Sequence, residues 1–329
     1  MKPKVLVTGK IYDEILEVLQ RNFELVLFEK LDKYSYPALT IHLSDAKGIF
    51  SMGLKVDEKL LDQAPQLKIV SNVSVGYDNF DIAEMTRRGI MATNTPEVLN
   101  DTTADAAMAL LLATARRIPE LDQYVKSGQW HGLVEDKWFG VDVYGKTLGI
   151  IGMGRIGTAI AKRAHLGFDM NILYHNRNRN IESEEKFGCH YCSLDDLLAK
   201  SDFVCLMTPL TSETEYLLGM REFKLMKNTA IFINVSRGKT VSEKDLITAL
   251  QNKWIAAAGL DVFEQEPVEP NNPLLTFSNV VTLPHVGGAT KKTRLNMMKL
   301  AAANLIQGLA GQRPQNLINE EAIRKRCNR

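Results

Sequence analysis

Three polar residues lie at or just beyond the ends of stretches that read as β-strands, and together they could reduce a carbonyl. Arg237 follows Ala230–Val235 in the segment NVSRG, and His285 follows Val280–Leu283 in PHVGG. Glu266 comes after Ala257–Asp261, in DVFEQEP. The carboxyl edge of the strands is where open α/β sheets bind ligands. A planar, permanently charged guanidinium can hold a carboxylate and polarise the carbonyl beside it, the two groups a 2-keto acid presents. Reduction takes a hydride and a proton, and histidine, titrating near neutral pH, is the natural proton donor. A carboxylate beside the ring would hold it and favour imidazolium. Spacing alone leaves both Glu264 and Glu266 open as that partner. The plainer readings are a surface arginine, with Gly238 as an ordinary turn, and a structural histidine. The other histidines, His42, His131, His165, His175 and His190, stand in other settings.

The hydride would come from a dinucleotide. Gly152-Met153-Gly154-Arg155-Ile156-Gly157 follows the apolar run Thr147–Ile151 and opens a helix over Ile156–Ala164. That context gives a GxGxxG its meaning. Gly152 permits the tight turn, Gly154 lets the backbone approach a pyrophosphate, and Gly157 lets helix and strand pack closely. The helix start offers unpaired N–H groups and the positive end of its dipole to the phosphates, and Arg155 can add a charged contact. An NAD-binding domain usually carries an acid after the next strand, on the ribose hydroxyls. Here that place reads Tyr174-His175-Asn176-Arg177-Asn178-Arg179, with no carboxylate before Glu182. Arg177 and Arg179 would attract a 2′-phosphate that an acid would repel. The expected cofactor is NADPH, with NADH weaker; the plainer reading is two solvated arginines.

These residues need a scaffold of strand ends, and the chain offers two. Strands fit Lys4–Thr8, Leu25–Phe28, Gly48–Ser51, Lys68–Ser71 and Ile90–Ala92, with helices between, the first over Asp13–Arg21. A long helix fits Ala104–Arg116, with Asp101, Thr102 and Thr103 as a capping start. A second series follows at Thr147–Ile151, Asn171–Tyr174, Phe203–Met207, Ala230–Val235, Ala257–Asp261 and Val280–Leu283. A final helix fits Thr290–Gly308. Alternation of this kind argues for parallel sheets with helices on both faces. The expected architecture is α/β, with two doubly wound domains: a Rossmann cofactor domain at 99–286, inserted in a flavodoxin-like substrate domain made of 1–98 and 287–329.

With 329 residues, 45% hydrophobic and 24% charged, the chain can bury two cores. A net charge of +1 with mixed signs gives no basic stripe for nucleic acid. The basic end, Arg324, Lys325, Arg326 and Arg329, reads as a frayed tail. The start MKPKVLVTG does not look like a signal peptide, and the longest apolar stretch, Ala106–Ala113, falls short of the ~18 residues that span a bilayer. No membrane association is expected, and a cytoplasmic location follows. Cys189 and Cys192 flank His190 and Tyr191, but no second ligand pair follows at zinc-ribbon spacing, so they read as part of a short strand before a helix near Leu194. No metal is expected.

GMGRIG, NVSRG, GLDVFEQEP and PHVGGAT, in this order, resemble the D-isomer-specific 2-hydroxyacid dehydrogenase family over nearly the whole chain. The longer segments KTLGIIGMGRIGTAIAKRAHLGF and SDFVCLMTPLT resemble its glyoxylate- and hydroxypyruvate-reducing members. The resemblance implies reduction of small 2-keto acids (hydroxypyruvate, glyoxylate, 2-ketogluconate) to D-2-hydroxy acids. It implies Arg237, Glu266 and His285 as the catalytic trio, and so Glu266 rather than Glu264. It implies that Asp261 meets the nicotinamide carboxamide, and that Val73-Ser74-Val75-Gly76 offers N–H groups to the substrate carboxylate, with Leu54 near the substrate. Thr208 and Pro209 would line the adenosine side, Thr103 the phosphates, and Val235, Gly287 and Gly288 the rest of the cofactor. It further implies a homodimer through the cofactor domain, with Trp138 or Trp130 reaching the neighbouring site. Many members carry Ser where this chain has Gly288, so the resemblance does not rank substrates.

Other members of the family differ at these positions. The formate dehydrogenase type has Gln in place of Glu266, and an NAD-specific lactate type would want an acid near Asn176. The phosphoglycerate type often adds a C-terminal regulatory domain, which is not expected after Arg329. A dinucleotide-sensing corepressor can keep the trio, so only turnover of a keto acid would separate it from an enzyme.

Overall fold

The computed structural model describes residues 1–30 and 35–327. From the amino end the elements are β1 (Lys4–Thr8), α1 (Asp13–Asn22), β2 (Glu24–Phe28), α2 (Ser35–Ile41), β3 (Gly48–Ser51), α3 (Glu58–Asp62), β4 (Ile69–Asn72), α4 (Ile82–Arg88) and β5 (Met91–Thr93). Then come α5 (Asn100–Ala115), α6 (Ile118–Lys126), β6 (Thr147–Ile151), α7 (Arg155–Phe168), β7 (Asn171–His175), α8 (Ile181–Phe187), β8 (His190–Tyr191), α9 (Leu194–Lys200) and β9 (Phe203–Leu206). The rest is α10 (Met220–Leu225), β10 (Ile231–Asn234), α11 (Glu243–Gln251), β11 (Ala257–Leu260), β12 (Val280–Thr282), α12 (Lys291–Leu309) and α13 (Glu321–Cys327). Residues 1–99 with 290–329 form one compact unit and residues 100–289 another. Among the described residues no helix is long and apolar enough to cross a membrane.

In the first unit all strand pairs are parallel and the order is β2-β1-β3-β4-β5, the flavodoxin-like arrangement. Strands β3 and β4 are buried at every position, which is why they read as unbroken apolar runs. The edge strand β2 keeps exposed positions. Helix α12, capped by Thr290 through the Thr293 N–H (3.2 Å), packs on β3, β4 and α1. The basic end read as a frayed tail contributes instead to α13, which packs on α4; Arg329 lies outside the described residues.

The second unit holds a parallel sheet in the order β12-β11-β10-β9-β6-β7-β8. The chain winds outward from β6 to β8, returns to β9 on the other side of β6, and winds outward again to β12. The reversal between β6 and β9 is the switch point at which doubly wound sheets bind ligands. The apolar helix α5 lies on this sheet against β10 and β11 and beside α7. It starts at Asn100, so Asp101, Thr102 and Thr103 occupy its first turn rather than precede it. An acid in the first turn suits the helix dipole as well as a cap would. Cys189 and Cys192 flank the two-residue strand β8, Cys189 buried and Cys192 half-buried.

Asn319 ties the last segment of the first unit to its sheet. Its Oδ1 accepts the Ala92 N–H (2.9 Å), and its Nδ2 donates to Ile90 O (2.9 Å) and Thr86 Oγ1 (3.0 Å). Asn319→Ala strands buried backbone groups and should destabilise by roughly 3 kcal/mol. Urea unfolding followed by circular dichroism should show a lower midpoint; an unchanged midpoint would mean that the tie contributes nothing.

Candidate active site

Strands β10, β11 and β12 are neighbours in one parallel sheet, so their carboxyl ends lie side by side. Arg237, Glu266 and His285 follow these three ends in turn. His285 Nδ1 lies 2.6 Å from Glu266 Oε2, and the other carboxylate oxygen accepts the Phe263 N–H at 3.0 Å. Glu264 is committed elsewhere: its Oε1 accepts the Glu243 N–H (2.7 Å) at the start of α11, and its own N–H donates to Glu243 Oε2 (3.2 Å). The histidine's partner is therefore Glu266. With Nδ1 engaged, Nε2 is the ring nitrogen left for a reactant.

His285 has a φ of +53°, in the left-handed region. A non-glycine residue there costs about 1–2 kcal/mol, so something must hold it. Asp261, just past β11 and 1% exposed, does so. Its carbonyl accepts the His285 N–H (2.9 Å), while Oδ1 and Oδ2 accept the N–H groups of Val286 (2.7 Å) and Gly287 (2.8 Å). Three successive amides are thus pinned by one residue. Burial pushes the Asp261 carboxyl above its ordinary value, and the two amides partly offset this. Each oxygen keeps a lone pair, so the carboxamide contact implied by the family resemblance is compatible with this use. Gly287 is tight against the same group: a Cβ there would come within 3.2 Å of Asp261 Oδ2 and of Thr103 Cγ2. Thr103 thus borders this turn. Gly288 beside it is half-buried.

Arg237 stands on a turn built by Asn234, the last residue of β10. Asn234 Oδ1 accepts from Ser236 N (3.0 Å) and Oγ (2.8 Å), and its Nδ2 donates to Arg237 O (3.1 Å), which also accepts from Thr240 Oγ1 (2.6 Å). The guanidinium is half-buried, with Nη1 donating to Ser236 O (2.8 Å). Gly238 is not an ordinary turn glycine. A Cβ there would lie 1.8 Å from the Phe263 carbonyl carbon and oxygen. Its absence lets the arginine turn lie directly against the loop that carries Glu266. Val235 is buried in the core below.

At the switch point the glycine-rich turn fits a dinucleotide. Gly152 has a φ of +102°, and a Cβ on it would meet the Met207 carbonyl at 2.8 Å, just beyond β9. A Cβ on Gly157 would strike Gly152 O at 2.3 Å, whereas none would meet anything within 4 Å on Gly154. Turn, close packing and open approach therefore fall on the glycines as expected. Arg155 is exposed at the first position of α7, and Ile156 behind it packs on the core. Thr208 Oγ1 is a buried oxygen with no hydrogen-bond partner in the chain, as a ligand-facing group would be. Pro209 is exposed, its carbonyl accepting from Thr214 Oγ1 (2.6 Å). Beyond β7, Asn176 Nδ2 donates to Asn178 O (3.0 Å). Arg177 is 86% exposed with Glu213 at 3.5 Å, but Arg179 is gripped by Glu184. The two arginines are not equivalent.

In the first unit, the loop after β4 has its carbonyls drawn inward. Ser74 O accepts from Thr95 N (2.9 Å), Val75 O from Asn94 Nδ2 (2.8 Å) and Gly76 O from Asn72 Nδ2 (2.9 Å). In a trans peptide the N–H points opposite to its carbonyl, so the Val75 and Gly76 N–H groups turn outward. Asn72 Oδ1 and Thr95 Oγ1 beside this loop are the other two buried side-chain atoms, among the described residues, without a partner. Leu54 is 2% exposed within the core of this unit, its carbonyl accepting from Asn79 Nδ2 (2.7 Å). In the second unit, Trp138 packs on its own chain, 4.6 Å from the Tyr124 ring and 5.5 Å from the Arg117 guanidinium. Trp130 is 58% exposed.

Sequence reasoning named the candidate site residues but missed those that hold them: Asn234, Thr240, Asn72, Asn94, and the tethering use of Asp261. An Asn or Asp at a strand end is the one available signal, since its side chain can close a turn on the following backbone.

Residues 108–287 match the NAD binding domain of D-isomer specific 2-hydroxyacid dehydrogenases. The chain is 48% identical over 324 residues to glyoxylate/hydroxypyruvate reductase B of Cronobacter sakazakii, covering 98% of this chain and 100% of that protein. It is 46% identical over 323 residues to the protein of that name from Yersinia pestis, covering 98% and 99%. Among solved structures, it is similar to an NADPH-dependent glyoxylate/hydroxypyruvate reductase from Sinorhizobium meliloti in complex with NADP and malonate. That match has a TM-score of 0.87 and 37% identity and covers 98% of each chain. A glyoxylate reductase from Paecilomyes thermophila gives a TM-score of 0.86 at 32% identity, covering 97% and 99%.

Glu266 ties its surroundings to pH. Burial pushes its carboxyl up, but the His285 bond, the Phe263 amide and the charges of His285 and Arg237 outweigh this and hold it below its ordinary 4.5. A carboxyl lowered by folding stabilises above its unfolded pKa and loses that contribution as pH falls through the folded value. Glu266→Gln should therefore be less stable than wild type at pH 7, with the gap closing below pH 4.5. Urea unfolding from pH 7 to 3 measures it, and a gap independent of pH would contradict the lowered carboxyl.

Proposed function

The chain belongs to the D-isomer-specific 2-hydroxyacid dehydrogenase family of NAD(P)-dependent oxidoreductases, and from that premise we propose that with NADPH it reduces glyoxylate to glycolate and hydroxypyruvate to the D-2-hydroxy acid. The observation that carries the proposal is the bonded pair His285–Glu266 (2.6 Å), set beside Arg237 at the ends of three adjacent strands. Relatives named for this activity, and a solved neighbour holding NADP, support it.

Bound at the glycine-rich turn, NADPH would supply the hydride to the keto carbon. Arg237 takes the substrate carboxylate and polarises the adjoining carbonyl; a fixed, charged donor helps most where negative charge develops. His285 delivers the proton from Nε2 to the carbonyl oxygen. Glu266 orients the ring by holding Nδ1, so that Nε2 faces the carbonyl oxygen. From the first unit, the outward N–H groups of Val75 and Gly76 are the proposed further donors to the carboxylate. Leu54, Thr103, Ile156, Asn176, Thr208, Pro209, Val235, Gly287 and Gly288 keep, in this proposal, the substrate and cofactor contacts that the family resemblance implies. By the same resemblance 2-ketogluconate joins the substrates. Exposed apolar side chains on the second unit, Trp130, Leu133, Phe139 and Tyr144, support a homodimer formed through it.

The test follows NADPH and NADH consumption in parallel with glyoxylate, hydroxypyruvate and 2-ketogluconate. NADPH should be favoured by about 100-fold in kcat/KM, or about 2.7 kcal/mol. Equal use of both cofactors would remove the NADPH reading, and no consumption with any of these acids would remove the reductase reading. Light scattering should give twice the chain mass; a monomeric mass would refute the dimer.

A further inference from the structure

The residues beyond β7 are held by a network that the proposed chemistry does not use. Tyr174 is fully buried, yet its hydroxyl makes two bonds. It donates to Glu184 Oε1 (2.5 Å) and accepts the Asn180 N–H (2.7 Å). Glu184, 16% exposed on α8, also takes both near nitrogens of Arg179: Nε donates to Oε1 (3.0 Å) and Nη2 to Oε2. Asn180 closes the circuit. Its Oδ1 accepts the Ser183 N–H (3.1 Å), and its Nδ2 donates to Met153 O (3.0 Å), inside the glycine-rich turn, and to Thr158 Oγ1 (3.2 Å). The segment that carries the two arginines is thus fastened both to a buried side chain of the sheet and to the turn that would cradle the phosphates.

A guanidinium has five N–H groups in a rigid fork. Glu184 occupies one edge of the Arg179 fork, so the opposite edge is left for a second anion. Arg177 differs in being 86% exposed, with its nearest carboxylate, Glu213, 3.5 Å away. Two effects of Glu184 compete. Its charge subtracts from the attraction of Arg179 for a phosphate, but its bonds remove the side-chain freedom that binding would otherwise have to freeze. A phosphate taken up on the opposite edge of the guanidinium would lie farther from the carboxylate than from the cation, and coulombic interactions fall with distance and are screened by water. Positioning should win.

We propose that Glu184, itself braced by the Tyr174 hydroxyl, is a positioning residue for cofactor discrimination: it holds Arg179 as a preset donor to the 2′-phosphate of NADPH. Arg177 adds charge without a fixed geometry. Arg179 and Tyr174 draw the Glu184 carboxyl down to about 2, so the brace stays ionised wherever the protein is folded and working. This inference rests on the NADPH reading above and deepens it.

Calorimetric binding of adenosine 2′,5′-bisphosphate and of 5′-AMP tests it without turnover. Wild type should prefer the bisphosphate. Glu184→Gln should lose about tenfold in bisphosphate affinity, or about 1.4 kcal/mol, and leave 5′-AMP unchanged. Added to Arg179→Ala, it should have no further effect, since the two residues act as one unit. Glu184→Asp keeps the charge but shortens the reach and should show the same selective loss, which guards against a poorly folded Gln variant. Unchanged or tighter bisphosphate binding in both Glu184 variants would overturn the proposal while the NADPH reading stands, as would equal losses for the two ligands. A wild type that binds both ligands equally would overturn the NADPH reading, and this inference with it.

Discussion

The hydrogen bond between His285 and Glu266 is the contact on which the candidate site depends, and the loops around it are shaped to present it. It joins residues from two different loops, at 2.6 Å. His285 stands in a left-handed backbone conformation that disfavours side chains. Glu266 spends its second oxygen on its own loop, at the Phe263 N–H. Asp261, buried at the end of β11, restrains the histidine loop by three bonds. Gly238 lets the arginine turn press against the glutamate loop at a distance no side chain would permit. Parallel pairing of β10, β11 and β12 then places all three loops on one edge. In the proposed reaction, preorganisation of this kind would spare these groups from reorienting during the chemical step.

A shared logic runs through both units. The central strands are buried, and the loops at their carboxyl ends are shaped by short polar side chains bonded to backbone. Asn234 shapes the arginine turn, Asp261 the histidine turn, Asn180 the segment beyond β7, and Asn72 and Asn94 the loop after β4. Each spends a side-chain amide or carboxylate on backbone groups, and Asn72, Asn234 and Asp261 do so while buried. Inward carbonyls then leave outward N–H groups, as at Val75 and Gly76, so a loop becomes a donor surface without any charged side chain.

The architecture was legible from the sequence because it rests on local pattern. Strands such as β1, β3 and β6 are buried runs bounded by turn residues, and their predicted limits coincide with the observed ones. Helix α5 began earlier than its capping residues suggested, because an acid in the first turn serves as well as one before it. The turn, packing and approach positions of GMGRIG were also readable, since each glycine answers to its immediate neighbours. What stayed hidden depends on groups brought together from far along the chain. Nothing local distinguishes Glu264 from Glu266, yet one caps α11 and the other meets the histidine. A plain turn at Gly238 stayed open as the alternative, because its constraint comes from Phe263, far along the chain. Arg177 and Arg179 looked alike until Glu184 was seen to hold only the second.

The central claim, that the histidine held by Glu266 gives the proton, is tested most directly by His285→Ala. Keto-acid-dependent NADPH consumption and NADPH binding, followed by fluorescence titration, should be measured on the same preparation. The account predicts a loss in kcat of at least about 100-fold, within the range general acid–base catalysis supplies, with NADPH affinity within a few-fold of wild type. Near-normal turnover would contradict it.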